Sequence, residues 1–178
     1  MLFLTREECA TWRATHAPRA SVVRDVGHKQ SIATMPGDLA NLKARKLAPL
    51  ARDLVMWLVP EGHAAVLVWI REYGIWGSSE MLDLYGDWRR AHGNGDGLRE
   101  NNMGLDIRPG HVFSREERLD IASLLVMSLV SGWGFVALAQ GSNRAVVADH
   151  DGHLAVTSGS ADAGDDARRL CARHAKDA

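Results

Sequence analysis

The chain has 178 residues, 46% of them hydrophobic and 24% charged, which is ordinary for one globular domain with a sizeable core. Its formal net charge of −1 gives no electrostatic reason to expect a nucleic-acid partner. Cys9 and Cys171 lack the spacing of a zinc knuckle or a disulfide framework. We therefore expect a soluble domain of a reducing cytoplasm that carries no cofactor.

The first helix is predicted by a capping box. Thr5 can accept a hydrogen bond from the backbone of Glu8 while the Glu8 side chain reaches back, and the helix should run to about Thr15. Farther along, 21–23 and 31–33 are short β-prone runs, and we predict weak strands there.

Two helices are predicted next. Asp38 is a suitable N-cap for one that runs through Lys46. Pro49 either kinks that helix or, the alternative we favour, lies in the first turn of a second. Basic residues between Lys43 and Arg52 line the polar sides, and their simplest role is to face solvent. Nucleic-acid binding through 43–52 is a third functional hypothesis, which we do not favour. The predicted buried face comprises Leu47, Leu50, Leu54, Trp57 and Leu58.

A continuous apolar run, 64–70, predicts a strand that is buried on both faces. A helix should begin near Ser79, with a buried stripe of Met81, Leu84, Tyr85 and Trp88. The glycine-rich and asparagine-rich segment from about 92 to 111 has no periodicity, and we expect a flexible loop or a functional flap there.

A second capping box, Ser114 to Glu117, predicts a helix that is apolar almost all round and therefore central in the domain. Residues 121–143 carry no charge and are numerous enough to span a bilayer. Gly132 and Gly134 interrupt them, so a buried helix followed by a strand is the better interpretation. No membrane partner is expected.

The C-terminal part predicts a three-stranded antiparallel meander with strands at 135–140, 144–150 and 153–157. Asp151-Gly152 between two β-prone runs favours a two-residue hairpin turn, since both residues tolerate positive φ. A final helix, about 162–175, has a thin apolar face and could be peripheral. No linker divides the chain, so we predict a single domain over 1–178.

The tip of this hairpin holds the best candidate site residues. In a two-residue turn His150 and His153 lie opposite each other and could share a metal ion. Asp149 points to the other face, where backbone amides or an arginine would hold it; it and His150 are also catalytic candidates. His111 is a further catalytic candidate, provided that the 92–111 loop brings it to the tip. All four residues also have purely structural explanations. For His111 the favoured one is a turn at 109–113 that fixes the entry of the chain into the next helix.

Several short motifs resemble those of a loose family of small uncharacterised bacterial α/β proteins. The resemblance covers about residues 64–157 and implies a compact domain, without implying a reaction or site residues. Its motifs are Trp69, Trp76-Gly77-Ser78-Ser79-Glu80, 109–113, 123–125, Gly132-Trp133-Gly134 and His150-Asp151-Gly152.

The combined prediction is a two-layer α+β domain in which helices pack on a mostly antiparallel sheet. That sheet should join strand 64–70 to the meander. The favoured function is a non-catalytic protein-binding or accessory domain, with an immunity-type role as one option. Such a domain should display a surface patch of tryptophan and charge. The alternative is a small hydrolase or metal-dependent enzyme that uses Asp149, His150 and His153 together with His111.

Overall fold

A computed structural model describes residues 1–18, 20, 31–34, 44–59, 65–73, 79–92, 105 and 108–175. Within these residues the helices span Arg6–His16 (α1), Ala44–Leu58 (α2), Ser79–His92 (α3), Arg118–Val130 (α4) and Ala161–Ala175 (α5). The strands span Leu2–Leu4 (β1), Ser31–Thr34 (β2), Ala65–Glu72 (β3), Gly110–Ser114 (β4), Gly134–Ala139 (β5), Arg144–Ala148 (β6) and Leu154–Ser158 (β7).

One antiparallel sheet organises the domain, with the strand order β1-β4-β3-β5-β6-β7-β2. The predicted meander is confirmed as β5-β6-β7, and its pairing with the buried strand 64–70 is confirmed as the β3–β5 ladder. Val66, Leu67, Val68 and Ile70 are fully buried, as expected for a strand with neighbours and packing on both faces. The α+β prediction is therefore correct.

Most of the apolar core lies on the sheet face that α2, α4 and α5 cover. α2 contributes Leu47, Leu50, Leu54 and Leu58 to it, on the face that helical periodicity predicted. A smaller cluster occupies the opposite face, where Cys9 and Trp12 of α1 pack near Leu67 and Leu138. The capping box of α1 is present: Glu8 N donates to Thr5 Oγ1 and Thr5 N donates to Glu8 Oε2.

Three local predictions are wrong. Pro49 does not begin a new helix but lies inside α2, which is continuous from Ala44 to Leu58, as in the alternative of a single helix. The buried leucines of α2 outweigh the one backbone hydrogen bond that a proline removes. Segment 110–114 is strand β4 rather than a turn, because it pairs with both β1 and β3. Leu84 is half exposed instead of belonging to the buried stripe of α3.

Other predictions lie partly or wholly outside the described residues. These are the strand at 21–23, the helix start at Asp38, Trp76 and most of the loop 92–111. The strand at 31–33 is confirmed as β2, at one edge of the sheet. Among the described residues, no helix is both long enough and apolar enough to cross a membrane, and 121–143 divides into α4 and β5 as predicted.

Candidate functional site

The β6–β7 hairpin turns through three residues, not two. Ala148 pairs with Leu154, and Asp149 N donates to His153 O at 3.1 Å. Gly152 takes the third loop position with φ 83°, the left-handed conformation that glycine adopts at least cost in such loops. The predicted opposition of His150 and His153 is therefore wrong, because Asp149 is the residue that faces His153.

Asp149 anchors this turn as predicted, through backbone amides. Its Oδ1 accepts hydrogen bonds from Asp151 N at 3.1 Å and from His153 N at 2.9 Å. Its Oδ2 lies 3.2 Å from His153 Nδ1. Asp149, Asp151 and His153 each offer one ligand atom, and these atoms lie within 4.8 Å of one another. Two carboxylates and an imidazole at this separation are suitable ligands for a divalent cation.

His150 points toward β3 instead of joining that group. Its Nδ1 lies 2.9 Å from Glu72 Oε2, and its Nε2 lies 3.4 Å from Asp151 Oδ1. The hydrogen bond with Glu72 raises the pKa of His150, and the carboxylates of Asp151 and Asp149 add to this effect. Glu72 was not predicted as a site residue, although its position at the charged end of a buried strand was visible in the sequence.

A local irregularity in β3 aims Glu72 at the hairpin. The pairing of β3 with β5 shifts register between Ile70 and Glu72, after which Glu72 lies opposite Gly134. A Cβ atom on Gly134 would come within 2.7 Å of Glu72 Oε2. The glycine thus provides the space in which the Glu72 side chain crosses β5 toward His150. Register shifts of this kind often redirect a side chain.

His111 lies elsewhere, in the core. On β4 it pairs with Val68 of β3, which in turn pairs with Ala137 of β5 and, through it, with Val146 of β6. Three strand spacings, about 14 Å, separate β4 from β6, and the tip lies farther along the strand direction. The structure therefore does not bring His111 to the hairpin tip.

His111 instead belongs to a cluster of buried polar side chains. Tyr85 Oη lies 2.6 Å from His111 Nε2, and Arg89 Nη1 donates to Tyr85 Oη at 3.0 Å. The Arg89 guanidinium also lies over the Phe3 ring, 4.2 Å from its centroid. Tyr85 and Arg89 are four residues apart on α3, so the helix places them side by side. His111, Tyr85 and Arg89 are all buried.

Burial fixes the protonation states of this group. It lowers the pKa of His111 to about 3, helped by the neighbouring Arg89 charge and opposed by backbone groups of Val68 and Pro109. It also raises the pKa of Tyr85 to about 12. Since Tyr85 Oη already accepts from Arg89, its proton is donated to Nε2 of a neutral His111. The arrangement stabilises the contact of α3 with the sheet and offers no accessible acid or base.

Among the described residues, α4 carries exposed apolar side chains on one face. Leu119, Ser123, Val126 and Val130 follow one another at intervals of four, three and four residues, which places them in a narrow stripe along the helix. Leu119 is 79% exposed and Val130 44%. Ser123 is exposed, whereas Val126 is partly buried and packs against the core. We call these four residues the α4 ridge. The prediction that this helix is surrounded by the domain is wrong, because the ridge faces outward.

None of the tryptophans that the structure describes is exposed, which counts against the predicted patch of tryptophan and charge. Trp57 and Trp133 are buried, and the other described tryptophans, Trp12, Trp69 and Trp88, are partly buried. The exposed large hydrophobic residues are Leu2, Met56, Leu84, Leu119 and Val130. Among the described residues, exposed apolar surface therefore comes from leucine, valine and methionine side chains rather than from tryptophan.

Comparisons with protein-family models, with curated proteins and with solved structures gave no match. The resemblance over residues 64–157 consequently stays a prediction.

Proposed function

We propose that this chain is a non-catalytic protein-binding or accessory domain of the bacterial cytoplasm, of immunity type, which binds its partner on the outer face of α4. The observation that supports this proposal is the α4 ridge, in which Leu119 and Val130 are exposed on one face of the helix, since exposed apolar surface can mark a protein-binding site. The formal net charge of −1 argues against nucleic acid as the partner.

The composition of the ridge defines what it can bind. None of its four residues is charged, and the hydroxyl of Ser123 donates to Leu119 O at 2.9 Å, so that donor is already used. Contact must therefore come mainly from burial of Leu119 and Val130, with the exposed part of Val126. Burying an exposed leucine or valine side chain contributes about 1.5 to 3 kcal/mol. A partner with an uncharged apolar helix face meets these requirements.

The enzymatic alternative has less support. A hydrolase that joined His111 to Asp149 and His150 would need all three groups in one cleft. His111 is fully buried on β4, and strands β3 and β5 lie between it and the hairpin. The hairpin tip has imidazoles and carboxylates at the surface, but His111 does not join them from the core.

Site-specific photo-cross-linking tests the binding proposal. The photoreactive residue benzoylphenylalanine would replace Ser123 in the native cell, and a matched chain would carry it at Arg168, an exposed residue of α5. We expect a covalent adduct from position 123 and none of the same mass from position 168. The additional change Leu119→Asp should abolish that adduct, because it places a charge in the apolar contact.

Each outcome is informative. An adduct that disappears with Leu119→Asp supports the proposal, provided that the thermal midpoint of the variant is unchanged. The proposal fails if position 123 gives no adduct, or if Leu119→Asp leaves the adduct at full yield.

The second candidate function is divalent-cation binding at the hairpin tip, which the proximity of Asp149, Asp151 and His153 favours. Titration calorimetry with Zn²⁺, Mn²⁺ and Ca²⁺ on the whole chain is the direct test. Binding should be lost in His153→Ala and Asp151→Asn. It should persist in His150→Ala, a matched histidine change outside the set of ligands. Equal loss in all three variants, or no heat with any ion, would reject this candidate.

A further inference from the structure

A groove with a volume of about 240 Å³ lies between α2 and α5. The side chains that line it are Asp53, Met56, Asp166, Arg169, Leu170 and Arg173. The four that come from α5 are spaced by three, one and three positions, which places them on one face of the helix. Sites for drug-sized ligands have volumes of roughly 300–1,000 Å³, so this groove suits a smaller molecule.

Two arginines of the groove have hydrogen-bond donors to spare. Arg173 donates through Nη1 to Asp53 Oδ2 at 3.0 Å, and Arg169 donates through Nη2 to Asp166 Oδ1 at 2.6 Å. A guanidinium has five N–H donors, and within the described part of the chain each arginine uses one of them in these bonds. Both side chains are exposed, so the remaining donors are accessible to a ligand.

The two carboxylates of the groove are each shared among several groups. Asp53 Oδ2 also lies 3.0 Å from His174 Nε2, and Asp53 Oδ1 lies 3.7 Å from Arg52 Nε. Asp166 interacts with the charge of Arg144 in addition to its partner on α5. The arginines around the groove therefore outnumber its carboxylates, and the surplus of positive charge favours an anion.

Apolar side chains form the rest of the lining. Leu170 is buried and belongs to the core, whereas Met56 is 56% exposed. Met56 follows Asp53 by three residues on α2, so the apolar surface lies beside the charged one. A ligand that covers both surfaces needs a charged end and an apolar body.

We propose that this groove binds a small organic acid in which one carboxylate is joined to a compact apolar body. The carboxylate accepts hydrogen bonds from Arg169 and Arg173, which are one helical turn apart, and such charge-assisted bonds are strong. The apolar body covers the exposed part of Met56. The groove shares no residue with the α4 ridge or the hairpin tip, so this site does not depend on the proposed function.

NMR titration of the isotope-labelled whole chain with isocaproate, a branched aliphatic acid, tests the proposal. Resonances of the groove should shift with a Kd on the order of 1 mM, because a ligand with so few atoms binds weakly. The uncharged amide of the same acid should bind about tenfold more weakly, since it cannot accept charge-assisted hydrogen bonds in the same way. Inorganic phosphate should also bind about tenfold more weakly, since it buries no apolar surface.

Two arginine substitutions on α5 provide a matched pair. Arg169→Gln removes an arginine that lines the groove, whereas Arg168→Gln removes its neighbour, which pairs with Asp165 in the same way outside the lining. Arg169→Gln should weaken the binding of isocaproate about tenfold, and Arg168→Gln should leave it unchanged. Both ion pairs are exposed, so both variants should keep their thermal midpoint.

Three results would overturn the proposal. These are an acid that shifts no resonance of the groove, an amide or phosphate that binds as tightly as the acid, and an Arg168→Gln variant weakened as much as Arg169→Gln. The comparison of acid, amide and phosphate uses only the native chain, so it decides the question even if a variant is unstable.

Discussion

His111 and His150 each hold a hydrogen bond that connects the sheet to another part of the chain, but they do so in opposite surroundings. His111 is fully buried and bonded to Tyr85 of α3, whereas the His150 side chain is half exposed and bonded to Glu72 of β3. Burial keeps the first imidazole neutral, and carboxylates favour protonation of the second. Solvent exposure therefore distinguishes the two roles. Buried His111 stabilises the fold, whereas half-exposed His150 can change its protonation state with pH.

Removing each imidazole is the strongest test of this difference. His111→Ala should reduce the free energy of unfolding by about 3 kcal/mol, because it opens a cavity and leaves the Tyr85 hydroxyl without its acceptor. His150→Ala removes only a surface contact and should leave the thermal midpoint unchanged. Chemical denaturation of the two variants measures both effects. Equal losses would mean that the hairpin contact is structural after all.

The pH dependence of stability should separate the two regions as well. The folded pKa of His111 is about 3, below the ordinary value of about 6.5, so the unfolded chain binds a proton between these values and the folded chain does not. The contribution of His111 is complete above pH of about 6.5 and is lost as the pH falls toward 3. The slope in that window is up to about 1.4 kcal/mol per pH unit.

Denaturation of the native chain and of His111→Phe between pH 6.5 and 4 measures this slope. The variant should lose less stability on acidification than the native chain does, whatever its stability at neutral pH. Parallel curves for the two chains would show that His111 is protonated in the folded state. The raised pKa of His150 acts in the other direction, since its contribution is lost as the pH rises through the folded value.

The sequence predicted elements better than the contacts between them. The periodicity of α2, the capping box of α1 and the run 64–70 each reported a local preference that the fold respects. β4 was missed because its pairing partners, β1 and β3, are distant in sequence, and the local sequence of 110–114 does not identify them. The turn at Gly152 was assigned one residue too short, since Asp-Gly suits both a two-residue turn and the last part of a three-residue loop.

The candidate site residues were likewise predicted well where their contacts are local and poorly where the contacts depend on distant strands. Asp149 was correctly expected to be anchored by backbone amides, because that bond is local. The placement of His111 depended on the strand order, which local patterns do not determine. The exposure of the α4 ridge was also missed, because the apolar composition of the helix is equally consistent with burial on every side.

The hairpin contact can also be disturbed through Gly134, the residue of β5 that lies opposite Glu72. Gly134→Ala would place a Cβ atom 2.7 Å from Glu72 Oε2 and 3.0 Å from Glu72 Cβ. Glu72 must then move, at a cost of about 1 to 2 kcal/mol, and its hydrogen bond with His150 should break. We expect the pKa of His150, followed by NMR titration, to fall toward its ordinary value.

Gly86→Ala is the matched control for this change. A Cβ atom at position 86 would approach Arg90 Nη1 no closer than 3.5 Å, an ordinary contact, and the position lies inside α3. Replacing a helical glycine by alanine stabilises a protein by roughly 0.5 to 1 kcal/mol. The two substitutions should therefore shift the thermal midpoint in opposite directions, and only Gly134→Ala should alter the titration of His150. If the His150 pKa stays raised in Gly134→Ala, then Gly134 is not what gives the Glu72 side chain room to reach the hairpin.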